Sequence, residues 1–190
     1  MKKKENRKIE SSSPLERLGE AYIVLLRGIN VSGKNKIPMV ALRTLLNDLE
    51  FQNVQTYIQS GNIILESTFS KNETSKKINK GIKEKFGFDI PVIIRTIPEL
   101  KKTIENYPFP IENEKIVAFG FLNQVPKETT IDVKNLGEDQ YKIVDDVVYL
   151  YCPTGFGKTK LTNNIFEKKL TVIATTRNLR TTLKLLELSK

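Results

Sequence analysis

Gly155, Gly157, Lys158 and Thr159, in the stretch "YCPTGFGKTKLT" (Tyr151–Thr162), are the residue types of a phosphate-binding loop. Glycine lets backbone N–H groups converge on an anion, while lysine and threonine add a charge and a hydroxyl. The ATPase form of such a loop reads G-x-x-x-x-G-K-[ST], yet five positions before Gly157 stands Cys152. No later apolar strand ends in the aspartate that would hold magnesium. The spacing therefore argues against an ATPase loop and leaves two readings. One is a lesser phosphate contact through the Gly155 and Gly157 amides with Lys158 and Thr159. The other is a tight turn whose Thr159 caps the next helix through "TKLT".

A second group of residues has anion-site chemistry. In "RGINVSGKNK" (Arg27–Lys36), Gly28 and Gly33 let amides point into one concavity, with Arg27, Lys34 and Lys36 around it. A helix follows from Pro38 with "PMVALR", and no acidic residue offsets its positive end. The alternative is a solvated loop with wet lysines. Histidine is absent, which excludes Ser-His-Asp and Cys-His mechanisms and the usual zinc sites. No close carboxylate pair accompanies either cluster. Asp145 and Asp146 read as turn formers, and Cys152 as a lysine-activated thiol or a buried small residue. No catalytic residue, metal site or cofactor is indicated.

The elements that must position these residues follow one order twice. "AYIVLLRG" is a buried strand, and Leu42, Leu45, Leu46 and Leu49 mark a helix. "NVQTYIQSGNIILES" is a hairpin turning at Ser60-Gly61-Asn62, "NETSKKINKGIKEKF" a weaker helix containing Gly81, "IPVIIRT" a strand and "PELKKTIEN" a connecting helix. After "YPFPI" (Tyr107–Ile111) come the strand "KIVAFGFLN", a poor helix or irregular loop "VPKETTIDVKNL" and a hairpin turning at Asp145-Asp146. The helix "TKLTNNIFEKKL", the strand "LTVIATT" and the helix "RNLRTTLKLLELS" end the chain, the last with Leu179, Leu183 and Leu186 on one face.

The fold class expected is α+β: two tandem ferredoxin-like (βαββαβ, alpha-beta plait) repeats, with helices packed on one face of antiparallel sheets and an extra helix after each. The expected boundaries are a basic arm at 1–19, a first domain at 20–106, a Pro-rich linker at 107–112 and a second domain at 113–190. Units this small bury modest cores, so the halves should pack on each other. In a plait, the first strand-helix loop and the hairpin turn share one end of the sheet. Arg27–Lys36 should therefore lie beside Gln59, Ser60 and Asn62. In the second half, Lys158, Thr159 and Lys160 should approach Arg177 and Asn178.

Composition bounds the partners. The chain has 190 residues and a net charge of +9, of which residues 1–19 carry +3. Such an excess points to an anionic small molecule or nucleic acid, or serves solubility alone. Phe119 and Phe121, with Tyr149 and Tyr151, could form an RNA-stacking platform on a plait. The preferred reading is that they are core beneath the helices, or the surface where the halves meet. A scaffold with no small ligand is a third reading. No apolar run approaches the ~18 residues needed to cross a bilayer, and no apolar signal core follows the basic N-terminus. One cysteine allows no intrachain disulfide, so a cytoplasmic location is expected.

The stretches "LLRGINVSGKNKIPM", "TYIQSGN" and "TRN" with Thr181 resemble the signature of a bacterial family known as the domain of unknown function numbered 1697. The resemblance runs from Tyr22 to Leu188 and implies a tandem of plait domains, with no activity, cofactor or substrate attached. Arg27, Gly28, Asn30, Gly33, Lys34 and Lys36 match the first motif. Gln59, Ser60, Gly61 and Asn62 match the second, and Arg177, Asn178 and Thr181 the third. Ser32 stands where the family usually has glycine. Thr176, Leu179 and Arg180 stand for its alanine, tryptophan and asparagine, so Leu179 cannot stack on a ligand as a tryptophan could.

Overall fold

The structure, a computed structural model, describes residues 19–190. The expected basic arm, apart from Gly19, lies outside the described residues. Two four-stranded antiparallel sheets and five helices make up the α+β fold. The first sheet holds β1 (Glu20–Leu26), β2 (Gln52–Tyr57), β3 (Asn62–Ser67) and β4 (Val92–Thr96), in the order β2-β3-β1-β4. The second holds β5 (Val117–Leu122), β6 (Gln140–Val144), β7 (Val147–Tyr151) and β8 (Ala174–Asn178), in the order β6-β7-β5-β8. The two orders correspond strand for strand.

Helices α1 (Met39–Asp48) and α2 (Lys71–Phe86) cover one face of the first sheet. There Leu42, Leu45, Leu46, Ile78 and Ile82 pack on Tyr22, Val24 and Leu26, the alternate residues of β1. Gly81 sits where α2 crosses α1, since a Cβ would meet Leu49 at 2.8 Å. The glycine that weakens the helix in isolation lets it pack. Helix α4 (Asn163–Leu170) covers the outer face of the second sheet through Phe166 and Leu170.

The inner faces share one core. Ile23, Leu25, Ile64 and Ile93 of the first sheet belong to the same apolar cluster as Phe119, Phe121, Val147 and Tyr149 of the second. The extra helices α3 (Ile97–Glu105) and α5 (Leu179–Leu188) enter it with Leu100, Leu179 and Leu185. On α5 the buried face is Leu179, Thr182 and Leu185, while Leu183, expected on that face, is 40% exposed. Tyr107 also packs inward, edge-on to Phe119 and Tyr149, with its hydroxyl donating to Leu150 O at 2.9 Å.

Two expected elements differ. No helix joins β5 to β6, and 123–139 is irregular, so the second half reads βββαβ rather than βαββαβ. Pro126, the β-branched Thr129, Thr130, Ile131 and Val133, and Gly137 all disfavour a helix. Ile131, Val133 and Leu136 instead pack as a strap on the outer core, pinned by the Tyr141 hydroxyl on both backbone groups of Ile131. The last strand also runs two residues further than "LTVIATT" suggests, so Arg177 and Asn178 belong to β8 rather than to the helix expected over "RNLRTTLKLLELS".

Candidate functional site

Being in a strand decides what Arg177 does. It pairs opposite Phe119 on β5, so its side chain leaves the inner face of the second sheet and crosses to the first. Nε donates to Asn62 Oδ1, Nη2 to Leu26 O (3.0 Å) and Ser60 O (2.9 Å), and Nη1 to Thr175 Oγ1 (2.8 Å) and Thr176 O (2.9 Å). All five guanidinium N–H groups thus have protein acceptors. None of them is a carboxylate. Burial, with the nearby charge of Arg27 adding to it, pushes the Arg177 pKa down to about 10.

The end of β1 and the β2–β3 turn are what Arg177 grips, and the Arg27–Lys36 loop springs from there. Asn30 is its latch: Nδ2 donates to Ile37 O (3.0 Å) and Gln59 O (2.9 Å), and Oδ1 accepts from the Ile37 amide (2.8 Å). The loop and the turn are therefore brought together. Asn35 Nδ2 closes the loop base on Gly28 O at 3.0 Å. Gly28, Asn30, Ser32, Gly33 and Asn35 all have positive φ, which gives a backbone reason for glycine at the Ser32 position. The Lys34, Lys36 and Gln59 side chains are exposed and make no hydrogen bond or ion pair among the described residues. Beyond them α1 starts at Met39 with no side-chain cap and no acidic residue in its first turn.

Residues 20–149 match the family described as "Protein of unknown function (DUF1697)". The chain belongs to this family. The matched stretch takes in the Arg27–Lys36 loop and Gln59–Asn62, and ends before Arg177. The conserved bacterial protein SP0830 from Streptococcus pneumoniae has a similar fold, with a TM-score of 0.65 at 23% identity over 90% of this chain and 98% of that one. At that identity the likeness speaks for fold alone. No curated protein matches the chain.

Within this family member, α4 completes the junction with residues that no sequence motif announced. Glu167 receives Arg27 Nε at 2.9 Å and Nη2 at 3.1 Å, and Asn164 Oδ1 receives Nη2 at 2.8 Å. Thr176 Oγ1 donates to Asn163 Oδ1 at 2.7 Å. Arg27 thus has a carboxylate partner, and Arg177 has none in contact. Asn178 and Thr181 serve the backbone: Asn178 Oδ1 accepts the Thr181 amide at 2.9 Å and caps α5.

The second expected cluster does not assemble. Lys158 and Lys160 are exposed, and no hydrogen bond among the described residues joins 158–160 to Arg177 or Asn178. That loop borders the outer core of the second sheet, whereas Arg177 leaves the inner face. The amides of Gly155, Lys158 and Thr159 are taken by Cys152 O and Gly155 O, so most of the apparent cradle is an internal turn. Asp139 braces it through the amide and hydroxyl of Thr154. Thr159 accepts from the Leu161 amide, and the cap of α4 is Thr162.

Cys152 is buried, and burial pushes its thiol up to about 11, the opposite of an activated nucleophile. Phe119, Phe121 and Tyr149 are also buried, at 0%, 0% and 3% exposure, and Tyr151 stacks on Phe109. For Phe119, Phe121 and Tyr149 the structure bears out the reading as the surface where the halves meet, because the inner faces pack on each other. Among the described residues no group of three His, Cys, Asp or Glu gathers, and no helix is long and apolar enough to cross a membrane.

Proposed function

We propose that the protein binds a small phosphate- or carboxylate-bearing molecule at the β1–α1 loop, held by Lys34 and Lys36 and oriented by Gln59. The observation that carries this reading is Arg177: a buried guanidinium without a carboxylate in contact fastens the base of that loop and lends it positive charge. Lys34 and Lys36 have no side-chain partner among the described residues and stand beside the uncapped start of α1. Arg177, Asn30 and Ser60 act as positioning residues, since their polar groups are committed to the protein. The reading is of a binding site, with no reaction assigned.

The corresponding strand orders also support reading each half as a ferredoxin-like plait. The chain would then be a tandem repeat whose second copy lacks its first helix. A lone, buried, unpaired thiol favours a reducing compartment, hence the cytoplasm. Isothermal titration of the full chain with inorganic phosphate and with a nucleoside monophosphate tests the site. A Lys34→Ala/Lys36→Ala variant should lose roughly tenfold or more in affinity, as expected for lost charge-assisted hydrogen bonds. Equal affinity in the double variant, or heat from neither ligand, would remove the reading.

A further inference from the structure

The opposite end of the molecule has the same construction with one part missing. Arg95 on β4 lies opposite Ile23 of β1, as Arg177 on β8 lies opposite Phe119 of β5. Each donates through Nη2 to the last residue of the other half's first strand, Arg95 to Leu122 O and Arg177 to Leu26 O. Each also donates through Nη1 to the carbonyl before it, Ile94 O and Thr176 O. Arg177 finds an acceptor for Nε in Asn62. At Arg95 the matching residue is Val147, and Nε, fully buried, has no acceptor among the described residues.

Beside Arg95 opens a cleft of about 570 Å³, between the polar side of α2, the free edge of β4 and Asn123, Asp146 and Ile173 of the second half. That volume is in the range of small-molecule pockets, and a junction between halves is where such pockets form. The direction of the β4 groups follows from one hydrogen bond. Pro91 O accepts from the Arg27 amide, so Ile93 and Arg95 face β1, and Val92 and Ile94 face the cleft. Their carbonyls are already taken, Val92 O by Ser75 Oγ at 2.9 Å and Ile94 O by Arg95 Nη1 at 2.9 Å. The edge therefore offers two N–H donors and no free acceptor. An added peptide strand would lose half its ladder there, whereas an acceptor-rich anion would lose nothing.

The other half of the molecule shows which group suits that edge. Ile173 O accepts from the Asn123 amide, as Pro91 O does from Arg27, so Ala174 is the counterpart of Val92. The Ala174 amide is filled by a carboxylate oxygen, Glu167 Oε1, at 3.0 Å. No protein carboxylate fills the place at Val92 among the described residues. Lys76, exposed and without a partner among the described residues, lines the same cleft.

We propose that this cleft is a second binding site, taking a small carboxylate-bearing molecule whose carboxylate accepts from the Val92 amide and pairs with Lys76, beside the Ile94 amide. The donor-only edge holds the head group, and the remaining volume takes a short body. The site is separate from the β1–α1 loop and stands or falls independently of it.

The test is ¹⁵N-edited NMR of the full chain, titrated with succinate, inorganic phosphate and sodium chloride in parallel. Succinate should shift the Val92 and Ile94 amides saturably, and Lys76→Ala, a change of an exposed side chain, should weaken that response about tenfold. In Lys34→Ala/Lys36→Ala the response should be unchanged, which separates this site from the loop. The proposal is overturned if those two amides stay still. It is also overturned if chloride moves them equally, if phosphate saturates the site and succinate does not, or if the Lys34/Lys36 variant abolishes the shifts.

Discussion

Replacing Arg177 by methionine removes its charge and five donors while nearly keeping its length. Two effects oppose each other. The fall of the Arg177 pKa from the ordinary arginine range to about 10 corresponds to about 3 kcal/mol against the charged form, a cost the variant escapes. Against that, Asn62 Oδ1 and Ser60 O lose their arginine donor, and Leu26 O keeps only Thr175 Oγ1 at 3.5 Å. At about 2 kcal/mol for each orphaned group the loss is about 6 kcal/mol. The net expectation is about 3 kcal/mol of lost stability, near the low end for breaking a buried, hydrogen-bonded charge. Urea unfolding followed by circular dichroism at pH 7 measures it. Arg177→Lys should recover only part, because an ammonium cannot reach five acceptors spread over two halves. A loss under about 1 kcal/mol in Arg177→Met would refute the reasoning, since desolvation would then outweigh the hydrogen bonds.

Gly61→Ala should cost about 2 kcal/mol or more by thermal unfolding, since its φ is 77° and the new Cβ would lie 2.6 Å from Leu26 Cβ. Asn30→Ala should cost about 1–2 kcal/mol and speed hydrogen exchange of the Ile37 amide, because it removes the bonds joining loop and turn. Stability should also decline with alkali. Burial holds the Cys152 thiol at about 11 against an ordinary 9 and raises Tyr22 to about 12. The folded form keeps protons that the unfolded form releases, so this stability is full below pH 9 and is lost as pH rises toward 11–12. Arg177 works oppositely above pH 10, being the first to lose its proton in the folded state. In denaturant melts from pH 8 to 11, Cys152→Ala should delay the onset of the decline, and an unchanged onset would exclude the thiol as its cause.

The first half was legible because its signals are local. Leu42, Leu45 and Leu46 repeat at helical spacing, β1 is one apolar run, and Ser60-Gly61-Asn62 marks a turn, so the order of elements and the meeting of loop and hairpin followed from topology. The second half was less legible. In 123–139 packing by Ile131, Val133 and Leu136 replaces a helix, and no periodicity encodes a strap. Arg177 was legible as part of a motif, though its partners were not. One register step separates an arginine opening a helix from an arginine ending a strand, and the second points into the other half. Glu167 carries no signal in the sequence, and its role rests on its contacts with Arg27 and the Ala174 amide.

The two arginines also explain why the molecule is polarised. Arg95 meets Asp146, whose carboxylate lies 2.9 Å away and whose carbonyl accepts as well. At the other end the matching turn position is Gly61, whose carbonyl accepts from the Leu26 amide as Asp146 O accepts from Leu122. No side chain fits there, because a Cβ would collide with Leu26 and Ile29. A counter-ion for Arg177 is thus barred by sterics at the one place that supplies it for Arg95. Glu167 could provide one from α4, but it is spent on Arg27 and the Ala174 edge. One end of the junction is therefore neutralised within the protein, and the other keeps a buried positive charge beneath the Lys34–Lys36 loop.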